Sequence, residues 1–345
     1  MRRFGENTAT ESGRLQIGRS VLFGLGLLLS AGGAQCATLT AIHDFRDLAN
    51  GAPYPAELHE FEGLAFTEDG SLWASIAANP VDARKELWRL DLPSNTVAEV
   101  VADTRVRVFG VPVANPVALG AAGEQLIVGE SFRPIRDGGF PLNDVVWAFT
   151  PGVSTPTVPD WSFVVPSSVC DGVQGAAASR GKVYLSCGGS GEIVRLDPSS
   201  GAVDTPFSLG RYLLGLEAID DHRLLVGDYS NHQLHVFDLA LAMITETIDL
   251  ADLFVGVNSD YFAITKQLYA VEVVAGDHRT IPDPDGLAYR DESIFMSFDG
   301  DLRIFQIALN AVPEPASLLL VALGLLGLAS ARRRSAHVMT VRQSS

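Results

Sequence analysis

The sequence predicts an all-β protein built as a β-propeller, and three observations predict it. Short apolar strands alternate with turn residues, and almost no 3.6-residue periodicity interrupts them. The strands recur as a four-part phrase at a period of roughly 40 to 60 residues, as propeller blades do. The third strand of the phrase ends repeatedly in an apolar residue and an aspartate, at Leu90-Asp91, Leu196-Asp197 and Phe237-Asp238. That repetition points to one structural role reused from unit to unit.

The units follow in order. Glu62-Gly63-Leu64-Ala65-Phe66 leads through a turn at Asp69-Gly70 to Leu72-Trp73-Ala74-Ser75-Ile76, then to 87–92 and 97–101. Asp-Gly at that point has the chemistry of a tight hairpin. The phrase returns from 117 to 165, from 175 to about 207, and from 214 to 248. Strands at 261–265 and 268–274 begin a fifth unit, and 285–307 forms the last. The fifth unit lacks evident third and fourth strands. The favoured reading is therefore six blades with one degenerate, and five blades is the alternative. The last unit has no outer strand after Ile307, and residues 38–45 are placed to supply it and close the ring. A pair of β-sandwiches is the other architecture open to these strands.

Both chain ends carry address segments. Arg14 and Arg19 precede an apolar stretch at 21–29 and a run of small residues to Ala37, the layout of a signal peptide with an N-terminal helix. Residues 1–37 are assigned to it. At the other end, Val312-Pro313-Glu314-Pro315 leads to an uncharged apolar run at 316–331 and then to Arg332-Arg333-Arg334. The run is slightly short of the roughly 20 residues of a spanning helix and is read as a transmembrane helix. The arginines should stay on the cytoplasmic side. This order resembles the PEP-CTERM sorting signal of Gram-negative bacteria, over residues 312–345 with a basic tail at 332–345. The resemblance implies an exosortase-type membrane peptidase as partner. It also implies a transient membrane anchor and delivery to the cell surface or its extracellular polysaccharide matrix, with an exopolysaccharide or a surface protein as a further partner. An ordinary C-terminal anchor is the plainer reading.

Residues 38–311 remain as the exported β domain. Of the 25 basic residues in the chain, eight lie in the two end segments, whereas nearly all of the 41 acids lie between them. The exported domain is thus more acidic than the formal charge of −16. That excludes nucleic acid and anionic membranes as natural partners, because both call for basic surfaces. Cys170 and Cys187 flank a predicted hairpin and are a candidate disulfide in an oxidising compartment, with two free thiols as the alternative.

In a propeller, innermost strands start, and second strands end, at one mouth of the central channel. Glu62, Asn115, Gln174, Asp260 and Asp285 stand at or before innermost strands. Glu130, Asp228 and Glu272 stand at the ends of second strands, and Glu217 lies inside an innermost one. An all-oxygen, mostly acidic mouth suits a hard divalent cation such as Ca²⁺. The same residues are also common turn and strand-entry chemistry. Glu62-Gly63-Leu64 and Pro284-Asp285-Gly286-Leu287 resemble strand starts of the gluconolactonase (SMP-30-like) propellers. That resemblance implies Glu62, Asn115 and Asp285 as ligands of one divalent metal, and hydrolysis of sugar lactones. No Gly-x-Ser-x-Gly elbow, P-loop or His-Glu-x-x-His is present. Trp73, Trp88, Trp147 and Trp161 sit on strands and read as core between blades. The sequence thus supports an exported binding protein, with a metal-dependent lactonase or esterase as the alternative.

Overall fold

The computed structural model describes residues 36–46, 59–78, 86–101, 115–131, 143–154, 158–262, 268–272, 274–276, 280–281, 283–298 and 301–310. Strand β1 (Cys36–Asp44) is followed by four successive four-stranded sheets. Blade 1 is β2 (His59–Phe66), β3 (Leu72–Ala78), β4 (Glu86–Asp91) and β5 (Thr96–Val101). Blade 2 is β6 (Asn115–Ala122), β7 (Gln125–Ser131), β8 (Asp144–Phe149) and β9 (Trp161–Val165). Blade 3 is β10 (Val173–Ser179), β11 (Lys182–Cys187), β12 (Glu192–Leu196) and β13 (Val203–Ser208). Blade 4 is β14 (Leu213–Ala218), β15 (Arg223–Asp228), β16 (Gln233–Asp238) and β17 (Met243–Asp249). A short helix α1 (Leu250–Leu253) and a lone hairpin, β18 (Asn258–Phe262) with β19 (Leu268–Glu272), precede blade 5. Blade 5 comprises β20 (Pro284–Arg290), β21 (Ser293–Phe298) and β22 (Arg303–Asn310), and β1 is its outer strand. The N-terminal strand therefore closes the ring, as its spacing predicted. The N-terminal signal helix, the helix at 316–331 and the sorting residues lie outside the described residues. Among the described residues no helix is long and apolar enough to cross a membrane.

Among the described residues the ring has five blades, the alternative reading rather than the favoured six. The unit that suggested a sixth supplies, among the described residues, only β18 and β19, and these contribute no innermost strand. Five glycines show the closure directly. A β-carbon on Gly63 would press on Leu119 of β6, one on Gly120 on Ala176 of β10, and one on Gly175 on Leu216 of β14. Likewise Gly215 abuts Asp285 of β20, and Gly286 abuts Gly63 and Leu64 of β2. Neighbouring innermost strands approach too closely for side chains at these points, and β14 meets β20 with nothing between.

Five hydrophobic clusters fill the seams between blades. One joins Trp73 and Leu87 of blade 1 to Trp147 and Phe149 of blade 2. Others lie between blades 2 and 3, 3 and 4, and 5 and 1. The seam between blades 4 and 5 also takes in α1 and Phe254, whose ring lies 5.2 Å from both Phe298 and Phe305. Inner strands are buried on both faces, whereas β5 is mostly exposed and β17 alternates, as sheet edges facing water do. The repeated third-strand aspartates are turn caps. Asp197 Oδ1 accepts from Ser199 N–H at 2.9 Å, and Asp238 Oδ1 from Ala240 and Leu241 N–H at 2.8 Å each. Cys170 and Cys187 are joined as a disulfide, with Cys187 paired to Val173 in the β10–β11 ladder.

Candidate functional site: the mouth of the ring

One irregularity recurs in every innermost strand. The ladder to the second strand slips after Phe61, Pro116, Val173, Leu213 and Pro284. Each slip is a β-bulge, which locally bends a strand and re-aims its side chains. The residues after these five, Glu62, Val117, Gln174, Leu214 and Asp285, are thus equivalent positions around the mouth. Opposite the slip, the second strands place Ile76, Glu130, Cys187, Asp228 and Phe298.

The predicted residues fall on this frame unevenly. Glu62 and Asp285 share the bulge position in adjacent blades and are buried. Glu130 and Asp228 share the facing position in blades 2 and 4. Asn115 stands two residues before its blade's bulge, paired with Ser131, and its side chain lies outside the described residues. Asp260 and Glu272 belong to the β18–β19 hairpin rather than to ring strands, and their side chains are also outside the described set. Glu217 lies deeper, at a seam.

Glu130 and Asp228 show how such acids are held by other side chains. Glu130 Oε1 accepts from the Trp147 indole N–H at 3.0 Å. Asp228, wholly buried, accepts from Arg211 Nη1 at 2.9 Å and from Asn231 Nδ2 at 2.8 Å. His235 Nε2 lies 3.1 Å from the same carboxylate, and its Nδ1 lies 2.9 Å from Thr247 Oγ1. Burial alone would raise the Asp228 carboxyl. The bonds from His235, Asn231 and Arg211 outweigh it and hold the group far below the usual carboxylate range. A third buried acid, Asp144, accepts from Val173 N–H at 2.7 Å and ties blade 2 to blade 3. Among the described residues no group of three or more His, Cys, Asp or Glu side chains could hold a metal ion. Glu62 and Asp285 alone fall well short of the six to eight oxygens a Ca²⁺ ion takes.

The mouth also holds residues the sequence did not single out. Tyr212 and Tyr229 flank β14 and β15, and Tyr229 N–H donates to the Tyr212 carbonyl at 3.0 Å. Their ring centroids are 4.8 Å apart, and Tyr229 lies 6.4 Å from the His232 ring. His232 in turn sits 3.4 Å from Asp283, just ahead of Asp285. Gln174 Cγ and the Tyr212 hydroxyl both stand 3.0 Å from where a Gly188 β-carbon would be. An arc thus runs over blades 3, 4 and 5 from Gln174 to Asp285.

Comparison with known proteins decides the tail before the ring. Residues 311–334 match the PEP-CTERM protein-sorting motif. This motif is recognised by exosortase, a membrane protease, and marks the chain for export and C-terminal anchoring ahead of cleavage. No curated protein matches the chain. Among solved structures it is similar to Myxococcus xanthus glutaminyl cyclase, with 15% identity, a TM-score of 0.50, and coverage of 81% of this chain and 98% of that one. It is also similar to a luciferin-regenerating enzyme, with 10% identity, a TM-score of 0.46, and coverage of 81% and 96%. At 15% identity the likeness to the cyclase is one of fold.

Proposed function

We propose that this protein is an exported recognition module. Its ring binds through the mouth, and its tail places it at the cell surface or in the extracellular matrix after exosortase-type cleavage. One observation supports this reading above others: the sorting motif starts at residue 311, directly after β22 ends at Asn310. Cleavage near Pro313-Glu314-Pro315 would leave all five sheets whole. β22 ends beside the β20–β21 hairpin, where Leu309 N–H donates to the Glu292 carbonyl at 2.9 Å. The last strand of the ring therefore leaves from the face opposite the mouth. Replacing Pro313, Glu314 and Pro315 by alanine should keep the protein in the membrane fraction of its native cell. Unchanged release would overturn the sorting half of the proposal.

A second reading is a divalent-metal lactonase or esterase, favoured by the shared bulge position of Glu62 and Asp285 in adjacent blades. In that reading Glu62, Asn115 and Asp285 would hold the cation, Ca²⁺ or a similar ion, and it would polarise a lactone carbonyl. Lactone and aryl-ester hydrolysis measured with and without added Ca²⁺ separates the two. Metal-dependent turnover lost in Asp285→Ala would replace the binding-only reading.

A further inference from the structure

We infer that a recess at the end of the ring away from the mouth, lined by Glu68, Tyr289 and Arg290, binds the zwitterion of a small α-amino acid. This goes beyond the mouth reading and does not rest on it. Phe66 ends β2, Gly123 lies in the turn between β6 and β7, and Tyr289 and Arg290 end β20, so three blades converge there. Together with Thr67 and Glu68 they line about 480 Å³, room for a small ligand. The turns that join first to second strands ring this end. All five are described, at 67–71, 123–124, 180–181, 219–222 and 291–292.

The recess holds two opposite charges that do not meet. The Arg290 guanidinium lies over the Phe66 ring, 5.5 Å from its centroid, and against the turn at Gly70, where a β-carbon would collide with it. Phe66 is itself fixed edge-on to Phe295 at 4.9 Å. Among the described residues the one ion pair of Arg290 is with Asp291, 3.4 Å from Nε and 90% exposed, which leaves both Nη groups for a ligand. On the blade 2 side, Glu68 Oε2 stands 3.3 Å from where a Gly123 β-carbon would be. Glu68 N–H donates to the Gly123 carbonyl at 2.9 Å and ties the two turns together. The Glu68 carboxylate makes no hydrogen bond or ion pair among the described residues. Packing thus places each pole independently of the other. A guanidinium fork suits a carboxylate, and a free carboxylate suits an ammonium. Burial pushes the Tyr289 hydroxyl up, so it stays protonated as a further donor. A simple anion would face Glu68, and a simple cation would face Arg290. An amino-acid zwitterion satisfies both, and its zero net charge meets no repulsion from a chain of charge −16. Nearby cations do not compete, because Arg223 pairs with Asp220 at 2.8 Å and Lys182 with Asp197 at 2.5 Å.

The test titrates the full chain in mild detergent with L-alanine, followed by ligand-observed NMR. Saturable binding is expected, with a dissociation constant on the order of 1 mM, because ion pairs open to water are weak. L-Lactate lacks the ammonium and L-alaninamide lacks the carboxylate, and each should bind at least about fivefold more weakly. The variants should act selectively. Glu68→Gln should remove the preference for alanine over lactate, and Arg290→Gln the preference over alaninamide. A merely structural residue would weaken all three ligands alike. Arg290→Lys keeps the charge without the fork and should weaken alanine about threefold. Thermal melts check that each variant is folded. Absence of saturable binding, equal binding of lactate or alaninamide, or a preference unmoved by its variant overturns the inference. So does tighter binding of inorganic phosphate, which would assign Arg290 to a plain anion. None of these outcomes bears on the mouth or the tail, because Glu68 and Arg290 belong to neither.

Discussion

Glu217 occupies a ring position that Ala65, Gly120, Ala177 and Ala288 fill in the other blades, two residues beyond the bulge-side glycine or alanine. Its Oε2 is buried with no hydrogen-bond partner among the described residues. Burial pushes its carboxyl well above the usual range. A raised folded value means that the native state holds the proton longer than the unfolded chain. The contribution is whole in acid and is lost as pH rises from the ordinary glutamate range through the folded value. Thermal melts of the wild type should fall relative to Glu217→Gln as pH rises across that window, by at most about 1.4 kcal/mol per pH unit. Parallel curves would contradict this. Asp228 makes the opposite case. Its carboxyl is depressed, so its contribution is present at neutral pH and lost on acidification. Asp228→Ala strands Arg211 and His235 and should cost about 3 kcal/mol in denaturant unfolding. A cost under about 1 kcal/mol would show that the network is not structural.

At the scale of elements, the second strands stitch one blade to the next. Ser297 Oγ donates to the Phe61 carbonyl at 2.8 Å and accepts from Gly286 N–H at 2.9 Å. Ser186 Oγ donates to the Leu214 carbonyl in the same way. Ser75 holds the equivalent place in blade 1, but its Oγ has no partner among the described residues. Ser297→Ala should therefore cost about 1–2 kcal/mol, whereas Ser75→Ala should be near neutral or stabilising. Equal costs measured in urea would deny the stitch. Much of this level was legible. The Glu62-Gly63 and Asp285-Gly286 strand starts that the sequence singled out turn out to sit at two of the five bulges, and the missing outer strand after Ile307 located β1 as the closing strand. The blade number was not, because residues 258–272 alternate like the start of a blade. Only the contact of Gly215 with β20 shows that they do not enter the ring. The tyrosine pair was hidden too. Tyr212 and Tyr229 lie outside the repeated phrase, and their pairing depends on where β14 begins and β15 ends.

At the scale of the whole molecule, two signals in the sequence turn out to meet at one strand. β22 completes blade 5 against β1 and stops at Asn310, and the matched sorting segment begins at the next residue. In the proposed reading, a ring whose last strand ends before the sorting motif would let export, anchoring and release follow as successive events. Intact-mass and C-terminal peptide analysis of the protein released by its native cell tests this most directly. The account predicts a C-terminus between Asn310 and about residue 316, with β22 whole and the arginines gone. A released chain that still ends in Arg332-Arg333-Arg334 and beyond, or one that ends inside β22, would contradict it.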